Sequence, residues 1–352
     1  MIFLDDYKFE LEEYIKEHQK IFEKLMGKTI LISGAAGLIG SYITDLCIVA
    51  NQIYSFGIKI YALDYNKQLL EKRFPDEFNN TVTRLPFDVV NDDFDVSCVD
   101  YVIHAASNTS PIDYATKPIE TIKTNIFGTD RLIKLCLNKG VERFLFCSSV
   151  EVYGQNNGDV DAFDEEYSGY VNSNTVRAGY PSAKRVSEAL CNAYMEENSS
   201  FDFVIARIGR IYGPTVINGD AKAPSQFISN AVNGEKIVMK SEGLQEFSYA
   251  YVGDCAMAMI FIMLLGKCGE AYNIADRDSR VLLKQFAQAS ALAGKTEVVF
   301  CLPNENEKKG YSKVTKAVMN TDKIEMLGWH AKHNVESGVS RTVKYLKKLK
   351  ER

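Results

Sequence analysis

The 352-residue sequence lacks the marks of several classes of protein. None of its eight cysteines forms a C-x-x-C pair, and its four histidines have no metal-ligand spacing with nearby carboxylates. We therefore expect neither a disulfide framework nor a metal site. No apolar run approaches the ~18 residues of a membrane helix, and the N-terminus does not resemble a signal peptide. A net charge of −5 argues against a nucleic-acid partner. Scattered cysteines favour a reducing compartment, so together with the N-terminus they lead us to expect a cytoplasmic protein.

The sequence does contain a regular glycine pattern, in the stretch Thr29–Gly40. The apolar run Ile30–Ile32 predicts a strand buried on both faces of a parallel sheet. Gly34, Gly37 and Gly40 follow it and lead into a helical pattern. In a dinucleotide-binding turn these glycines allow a sharp bend, a close approach to pyrophosphate and close helix packing. The spacing alone also fits an ordinary strand, turn and helix.

An acidic residue ends the next predicted strand. Lys59–Leu63 has the composition of a strand, and Asp64 follows it. A carboxylate at this place binds the ribose hydroxyls of a dinucleotide and repels a 2′-phosphate, which favours NAD over NADP. The alternative is an aspartate that only caps a turn.

Strands and helices then alternate along the chain. The further predicted strands are Thr83–Phe87, Tyr101–His104, Arg143–Cys147 and Phe203–Arg207. Alternation of this kind predicts an α/β fold with a doubly wound parallel sheet, the Rossmann fold, and a smaller C-terminal substrate domain. The predicted divisions are a helical extension at 1–27, an NAD-binding domain at 28–208 to which 245–278 returns, and a substrate-binding domain at 209–244 and 279–352.

Ligands of such sheets bind beyond the carboxyl ends of the strands. The residues predicted at these ends, and so along one crevice, are Asp64, Asp88, His104 and Ser149. Tyr180 and Lys184 are four residues apart in a predicted helix that enters the crevice. An ammonium near a phenol lowers its pKa, so the pair can act as a general base beside a serine that orients an alcohol. On its own, a Tyr-x-x-x-Lys pair is more often an exposed helix face.

Together these motifs resemble the extended short-chain dehydrogenase/reductases that remodel nucleotide-activated sugars, the NAD-dependent epimerase/dehydratase family, over about 28–343. The resemblance implies NAD as cofactor, a nucleotide-sugar substrate and a homodimer. It implies a catalytic set of Ser149, Glu151, Tyr180 and Lys184. It implies cofactor contacts from Gly34, Gly37, Leu38, Ile39, Asp64, Asp88, Val89, Ala105, Ala106, Ser107, Asn125, Tyr180 and Lys184. It implies substrate contacts from Ser107, Ser149, Arg210, Lys222 and Gln226.

Within this family the sequence is similar to the UDP-glucuronate decarboxylases. The similar segments are Pro118–Thr129, Ser149–Gly154 and Lys184–Glu188. Glu151 falls where these decarboxylases and the sugar 4,6-dehydratases carry a glutamate beside the hexose. Read without the resemblance, Glu151 is as well explained as an exposed loop charge.

Three residues depart from the family pattern. Arg210 replaces an asparagine that reaches the substrate, Phe247 replaces an arginine for the pyrophosphate, and Val150 replaces a serine or aspartate. Loss of a charge-assisted phosphate contact weakens nucleotide binding unless Arg210 or Lys222 supplies the charge. The sequence thus also allows a 4-epimerase, a 4,6-dehydratase, a net NAD(P)H-dependent reductase of an activated ketose, or a non-catalytic NAD-binding protein.

Overall fold

The computed structural model describes residues 1–109, 116–217, 219–301 and 314–352, and its centre is a seven-stranded parallel sheet. Its strands are β1 (Thr29–Ser33), β2 (Lys59–Leu63), β3 (Val82–Leu85), β4 (Tyr101–His104), β5 (Arg143–Ser149), β6 (Phe203–Ile208) and β10 (Ala271–Ile274). They lie in the order β10-β6-β5-β4-β1-β2-β3. The chain winds away from β1 in both directions, which confirms the predicted doubly wound sheet and places a switch point between β1 and β4.

Helices cover both faces of this sheet. They are α1 (Asp5–Glu17), α2 (Gln19–Glu23), α3 (Leu38–Tyr54), α4 (Lys67–Arg73), α5 (Pro118–Lys139), α6 (Gly179–Glu197), α7 (Ala223–Asn233), α8 (Val252–Leu265), α9 (Leu283–Gly294), α10 (Asp322–Glu325) and α11 (Val335–Lys350). Ile30 and Ile32 share a core with α3 and α8, whereas Leu31 shares a second core with α5 and α6. The apolar run of β1 is therefore buried on both sides, as its composition predicts.

Two small sheets lie outside the central one. The first contains β7 (Arg210–Tyr212), β9 (Glu246–Tyr251), β11 (Arg280–Leu282) and β13 (Lys316–Ala317), and the second pairs β8 (Ile237–Met239) with β12 (Val298–Phe300). Because β7 pairs in parallel with β9, Arg210 stands opposite Tyr249. This pairing carries Arg210 to the same sheet as Phe247.

Several element boundaries differ from the sequence prediction. β3 ends at Leu85 rather than Phe87, because Pro86 follows and has no N–H to donate to a ladder. β5 continues to Ser149 rather than Cys147, since Ser149 still pairs with Ile208 of β6. None of the helices in the described ranges combines the length and the apolar character needed to cross a bilayer.

Candidate active site

The glycine turn between β1 and α3 is shaped by backbone contacts. Gly34 has a φ of +71°, and a Cβ there would lie 2.8 Å from the amide nitrogen of Ala106. A Cβ on Gly40 would lie 2.5 Å from the carbonyl oxygen of Gly34. A Cβ on Gly37 would meet only that same carbonyl oxygen within 4 Å, at 3.1 Å. Gly37 is thus crowded by a single backbone atom, which is compatible with the close approach of a pyrophosphate to the amide end of α3.

The acidic residue after β2 lies against this turn. The buried Asp64 carboxylate accepts hydrogen bonds from the backbone N–H groups of Ala36 (3.3 Å) and Asn66 (3.1 Å). Burial raises the pKa of Asp64, and these hydrogen bonds oppose the shift. A carboxylate joined to the turn itself fits the ribose contact of a dinucleotide, so the described residues accommodate NAD.

The loop after β4 is joined to helix α5 by side-chain hydrogen bonds. The Ser107 hydroxyl donates to Oδ1 of Asn125 at 3.1 Å, and Asn125 is fully buried. Ala106 donates its backbone N–H to Oγ of Ser33 at 3.3 Å. These contacts keep Ala105 and Ala106 against the glycine turn. Ser107 and Asn125 thus lie together, as expected of two residues assigned to one ligand.

Asp88 and Val89 belong to the loop after β3. Oδ1 of Asp88 accepts the backbone N–H of Val90 at 2.7 Å, and its Oδ2 accepts from the Asn91 side chain at 2.9 Å. Val89 is buried, with a methyl group 3.1 Å from the Cβ position of Gly128. The Asp88 carboxylate therefore orders its own loop, and its predicted role near the adenine remains a prediction.

His104 differs from the other residues predicted along the crevice, because its side chain is buried within the fold. Its Nδ1 lies 2.7 Å from Oγ of Ser33, and only 1 % of the residue is exposed. Burial, aided by the charge of Lys184, lowers the pKa of His104 to about 3. The imidazole is therefore neutral at physiological pH and acts as a polar support behind β1.

Tyr180 and Lys184 lie together at the start of α6. The ammonium of Lys184 is 5.9 Å from the centre of the Tyr180 ring and 4.6 Å from that of Phe146. It donates a hydrogen bond of 2.6 Å to the carbonyl oxygen of Cys147, and Lys184 is only 2 % exposed. Burial lowers the pKa of Lys184 to about 8. The predicted pair thus forms one buried unit against the end of β5.

Ser149 ends β5 and begins a short 3₁₀ turn (Val150–Tyr153). Its hydroxyl oxygen accepts the backbone N–H of Glu151 at 3.2 Å, which is the cap of that turn. The Glu151 carboxylate in turn pairs with Arg177, whose Nη2 is 3.2 Å from its Oε1. Arg177 belongs to a second 3₁₀ turn (Val176–Ala178) just before α6. The ion pair therefore joins the turn after Ser149 to the turn that precedes α6, the helix of Tyr180 and Lys184.

A buried ion pair that the sequence analysis did not assign holds these elements in place. Glu188, one turn after Lys184, accepts two hydrogen bonds from the Arg207 guanidinium at 2.7 and 3.1 Å. Ser148 donates to the same carboxylate. Because the three residues lie on α6, β6 and β5, the pair fixes the helix of Tyr180 to the strand of Ser149. The signal for it was the Lys-Arg-Val-Ser-Glu segment, but the partner on β6 lies 19 residues further along.

The unusual residues Arg210 and Phe247 contact each other. The guanidinium carbon of Arg210 lies 3.7 Å above the centre of the Phe247 ring, a stacked cation–π contact. Nε of Arg210 is buried and has no hydrogen-bond partner among the described residues, and the same holds for the Tyr249 hydroxyl opposite it. The phenylalanine thus supports a guanidinium that arrives from the neighbouring strand.

Lys222 lies in the same electrostatic surroundings. Its ammonium donates to Oγ1 of Thr109 at 2.9 Å and is 3.7 Å from the Asp220 carboxylate. Burial lowers the pKa of Lys222, with Asp220 opposing the shift, and the charges of Arg210 and Glu151 also act on it. The structure therefore brings Lys222 within electrostatic range of Arg210, another predicted substrate contact, and of Glu151 of the predicted catalytic set.

Gln226, on the first turn of α7, donates instead to the backbone of Ala221 at 3.0 Å.

The described parts of the chain contain no group of three or more potential metal ligands. The arrangement offers a buried cation beside a phenol, held against the end of β5, with a hydroxyl and a carboxylate two and four residues after Cys147 in the chain. Such a set suits proton transfer linked to hydride transfer.

Comparison with known proteins gives a consistent result. The model of the NAD dependent epimerase/dehydratase family matches residues 30–275. UDP-glucuronic acid decarboxylase 1 of Danio rerio is 30 % identical over 325 residues, which cover 90 % of this chain and 72 % of that protein.

Two solved structures share the fold at lower sequence identity. UDP-glucose 4-epimerase of Thermotoga maritima, solved with UDP-glucose, superimposes with a TM-score of 0.76 at 23 % identity, covering 91 % of this chain and 99 % of that one. A dTDP-glucose 4,6-dehydratase of Bacillus anthracis, solved with NAD, gives 0.74 at 20 % identity, covering 92 % and 98 %. TM-scores of this size, over nearly the whole of both chains, show a common fold.

Proposed function

Because the chain belongs to the NAD-dependent epimerase/dehydratase family, we propose that it remodels a nucleotide-activated sugar through a transient 4-keto intermediate, most like UDP-glucuronate decarboxylation. The observation that carries the proposal is the buried unit of Tyr180 and Lys184, which contacts the end of β5 that Ser149 terminates. NAD is the cofactor, and it supplies a hydride acceptor that later returns the hydride. The reaction then has no net redox change.

The chain's own residues would handle the protons. The positive charge of Lys184 favours the ionised form of Tyr180, and this phenolate takes the proton of the C4 hydroxyl. Ser149 donates a hydrogen bond to the oxygen as it becomes a carbonyl. A 4-keto group can accept the electron pair released at C5, either when a C5 carboxylate leaves as carbon dioxide or when a C5 proton is removed. Glu151, on the turn after Ser149, would assist that second stage.

We propose that the diphosphate binds near Arg210. Lys222 is within electrostatic range of Arg210, and Gln226 is one helical turn beyond Lys222. A guanidinium stacked on Phe247 keeps its charge while losing little conformational freedom on binding. This arrangement supports a phosphate contact from β7, where the family pattern has one from β9. By the same reasoning, 209–244 and 279–352 are the segments on the substrate side.

The decisive experiment incubates the purified protein with a panel of nucleotide sugars and analyses the products by mass spectrometry. Loss of carbon dioxide from UDP-glucuronate is the expected result. Loss of water would indicate a dehydratase, and an isomer of unchanged mass would indicate an epimerase. Turnover of none of the sugars, with NAD bound, would contradict the proposal.

A second candidate function is that of a net reductase that consumes NADH. It is favoured by Val150 and Phe247, which depart from the family pattern. An enzyme that returns its hydride retains its nucleotide, whereas a net reductase must exchange it. Bound nucleotide measured after gel filtration separates the two. Tight NAD favours the transient oxidation, and an empty site favours the reductase.

We also propose a homodimer in the cytoplasm. Exposed apolar side chains share the surface of α5 and α6, namely Ile119, Ile122, Phe127 and Val186. Burial of such a face between two copies removes it from water. Phe127→Asp should therefore shift the mass measured by light scattering from dimer to monomer, and Leu292→Asp, at another exposed apolar position, should not. The cytoplasmic assignment rests on cysteines that all remain free thiols.

A further inference from the structure

Two buried tyrosines of the small four-stranded sheet, Tyr212 on β7 and Tyr249 on β9, differ in what their hydroxyls contact. Both rings pack against Phe286 of α9, at centroid distances of 5.1 and 4.8 Å. The Tyr212 hydroxyl donates to the carbonyl oxygen of Asn334 at 3.2 Å. The Tyr249 hydroxyl is buried and, among the described residues, has no hydrogen-bond partner. A buried hydroxyl without a partner costs stability, which a phenylalanine at the same position would not.

Arg210 carries a second group of this kind. Its Nε is buried and lacks a partner within the described ranges, and its guanidinium carbon lies 3.7 Å above the Phe247 ring. Arg210 and Tyr249 stand opposite each other on paired strands. Because side chains alternate between the two faces of a sheet, residues opposed in register project to the same face. An N–H donor and a hydroxyl oxygen that both lack partners therefore share one face of the small sheet.

The rings around Tyr249 hold its hydroxyl in place. Its ring stacks on Phe286 with an interplanar angle of 30° and is nearly perpendicular to Phe247, at 83°. Burial raises the pKa of Tyr249 to about 12, with the charge of Arg210 opposing the shift, so the phenol is neutral at physiological pH. A neutral phenol oxygen can accept the Nε–H of an arginine, which leaves the four Nη hydrogens for a ligand.

We propose that Tyr249 is a positioning residue for Arg210. Its hydroxyl oxygen accepts the Nε–H when a diphosphate engages the Nη groups, and this hydrogen bond orients the guanidinium toward the phosphates. Since neither group has a partner among the described residues, their pairing adds to the affinity for the diphosphate. The inference rests on the proposed function, in which Arg210 supplies the phosphate contact, and deepens it by naming a residue that acts through Arg210.

The test separates binding from stability with two matched tyrosine variants. Calorimetry on the NAD-loaded protein measures Kd for UDP, and thermal unfolding without UDP measures Tm. Tyr249→Phe should weaken UDP binding about 5-fold, the size of one hydrogen bond, without lowering Tm, because no hydrogen bond of the fold is removed. Tyr212→Phe should show the reverse, a lower Tm with unchanged UDP affinity, because its hydroxyl binds Asn334.

Two further measurements examine whether Tyr249 acts through Arg210. Arg210→Met removes the guanidinium, so adding Tyr249→Phe to that variant should weaken UDP binding by less than about 2-fold more. With the nucleotide sugar that is turned over in the product analysis, Tyr249→Phe should raise KM and leave kcat unchanged. The reason is that the oriented guanidinium binds the diphosphate equally in the ground state and in the transition state.

The outcomes distinguish this inference from the proposed function. Wild-type binding of UDP together with an unchanged Kd in Tyr249→Phe would overturn the role of Tyr249 and leave the proposed function standing. A lowered Tm in Tyr249→Phe, or an undiminished loss of affinity in the Arg210→Met background, would also overturn it, because the hydroxyl would then act without Arg210. Wild-type protein that binds no UDP would instead overturn the proposed function.

Discussion

Two of the buried charged side chains, Glu10 and Lys184, differ in how many hydrogen-bond partners surround them. Glu10 on α1 is 1 % exposed, and its two oxygens accept from four donors. These are the hydroxyls of Tyr42, Tyr251 and Tyr345 and the guanidinium of Arg341, at 2.7, 2.7, 2.9 and 3.1 Å. Lys184 in the crevice is equally buried, yet among the described residues it has one carbonyl oxygen and two aromatic rings.

This difference in the number of hydrogen-bond partners distinguishes a charge that stabilises the fold, Glu10, from a charge assigned to catalysis, Lys184. A buried ion whose hydrogen-bonding positions are filled stabilises the elements that supply its partners. Glu10 thereby joins the N-terminal helix to α3, β9 and α11. A buried cation with few partners is costly to the fold, and such groups concentrate at functional sites. The predictions below test that distinction.

The largest effect is expected on turnover, at Tyr180 beside the buried Lys184. Tyr180→Phe removes the proposed general base, so kcat should fall about 10²- to 10⁴-fold. Bound NAD, measured by absorbance, should stay at the wild-type level. Tyr194→Phe on the same helix loses a hydroxyl that bonds Asp130 and is the matched control. Near-full turnover in Tyr180→Phe would contradict the assignment.

The next largest effect is expected on stability, at the buried Glu10 with its four hydrogen-bond donors. Glu10→Ala leaves three tyrosine hydroxyls and Arg341 without their acceptor, so the free energy of unfolding should fall by about 3–5 kcal/mol. Urea unfolding followed by circular dichroism measures it. Glu12→Ala removes an exposed glutamate that pairs with Lys16 on the same helix, and it should cost under about 1 kcal/mol. Equal losses in the two variants would show that Glu10 does not fasten the N-terminal helix.

Removing the charge of Lys184 is expected to raise the free energy of unfolding, whereas removing that of Glu10 lowers it. Its pKa is lowered from 10.5 to about 8, so between these values the unfolded chain binds more protons, and stability rises with pH. Below pH 8 the fold carries the cost of the buried ammonium. Lys184→Met should therefore stabilise the fold at pH 7 by roughly 1–3 kcal/mol while abolishing turnover. Thermal unfolding from pH 7 to 10 should show the gain shrinking, and a destabilised variant at pH 7 would contradict it.

The sequence predicted the parts of this molecule that depend on local pattern. The glycine turn, the alternation of strands and helices, and the helix with Tyr180 and Lys184 follow from patterns within a few residues, and the structure confirms the doubly wound parallel sheet predicted from them. The sequence also predicted a helical extension at 1–27, where α1 and α2 lie. The structure shows them packed on α3 of the same chain.

The rest depended on partners that are distant in sequence. The hydroxyls that bind Glu10 lie 32, 241 and 335 residues from it, so no local spacing could reveal them. Arg210 and Phe247 looked like two separate departures until β7 paired with β9 and stacked them. Likewise, His104 was expected to line the crevice, but side-chain burial depends on what packs behind the strand.

The smallest effect is expected at an exposed charge on the helix that carries Glu10. The Asp6 carboxylate is 2.6 Å from the ammonium groups of Lys344 and Lys348 on α11, and their hydrogen bonds lower its pKa from 3.8 to about 2. A lowered folded-state pKa gives stability that is present above the unfolded value and is lost as pH falls toward 2. Asp6→Asn should therefore reduce Tm slightly at pH 7, and its difference from wild type should narrow between pH 4 and 2. Since exposed charges are screened, 1 M salt should also remove the Tm difference between Asp6→Asn and wild type.

Asp5→Asn is the control for net charge. A loss of stability in Asp6→Asn as large as that in Glu10→Ala would contradict the distinction between the buried and exposed charges of α1.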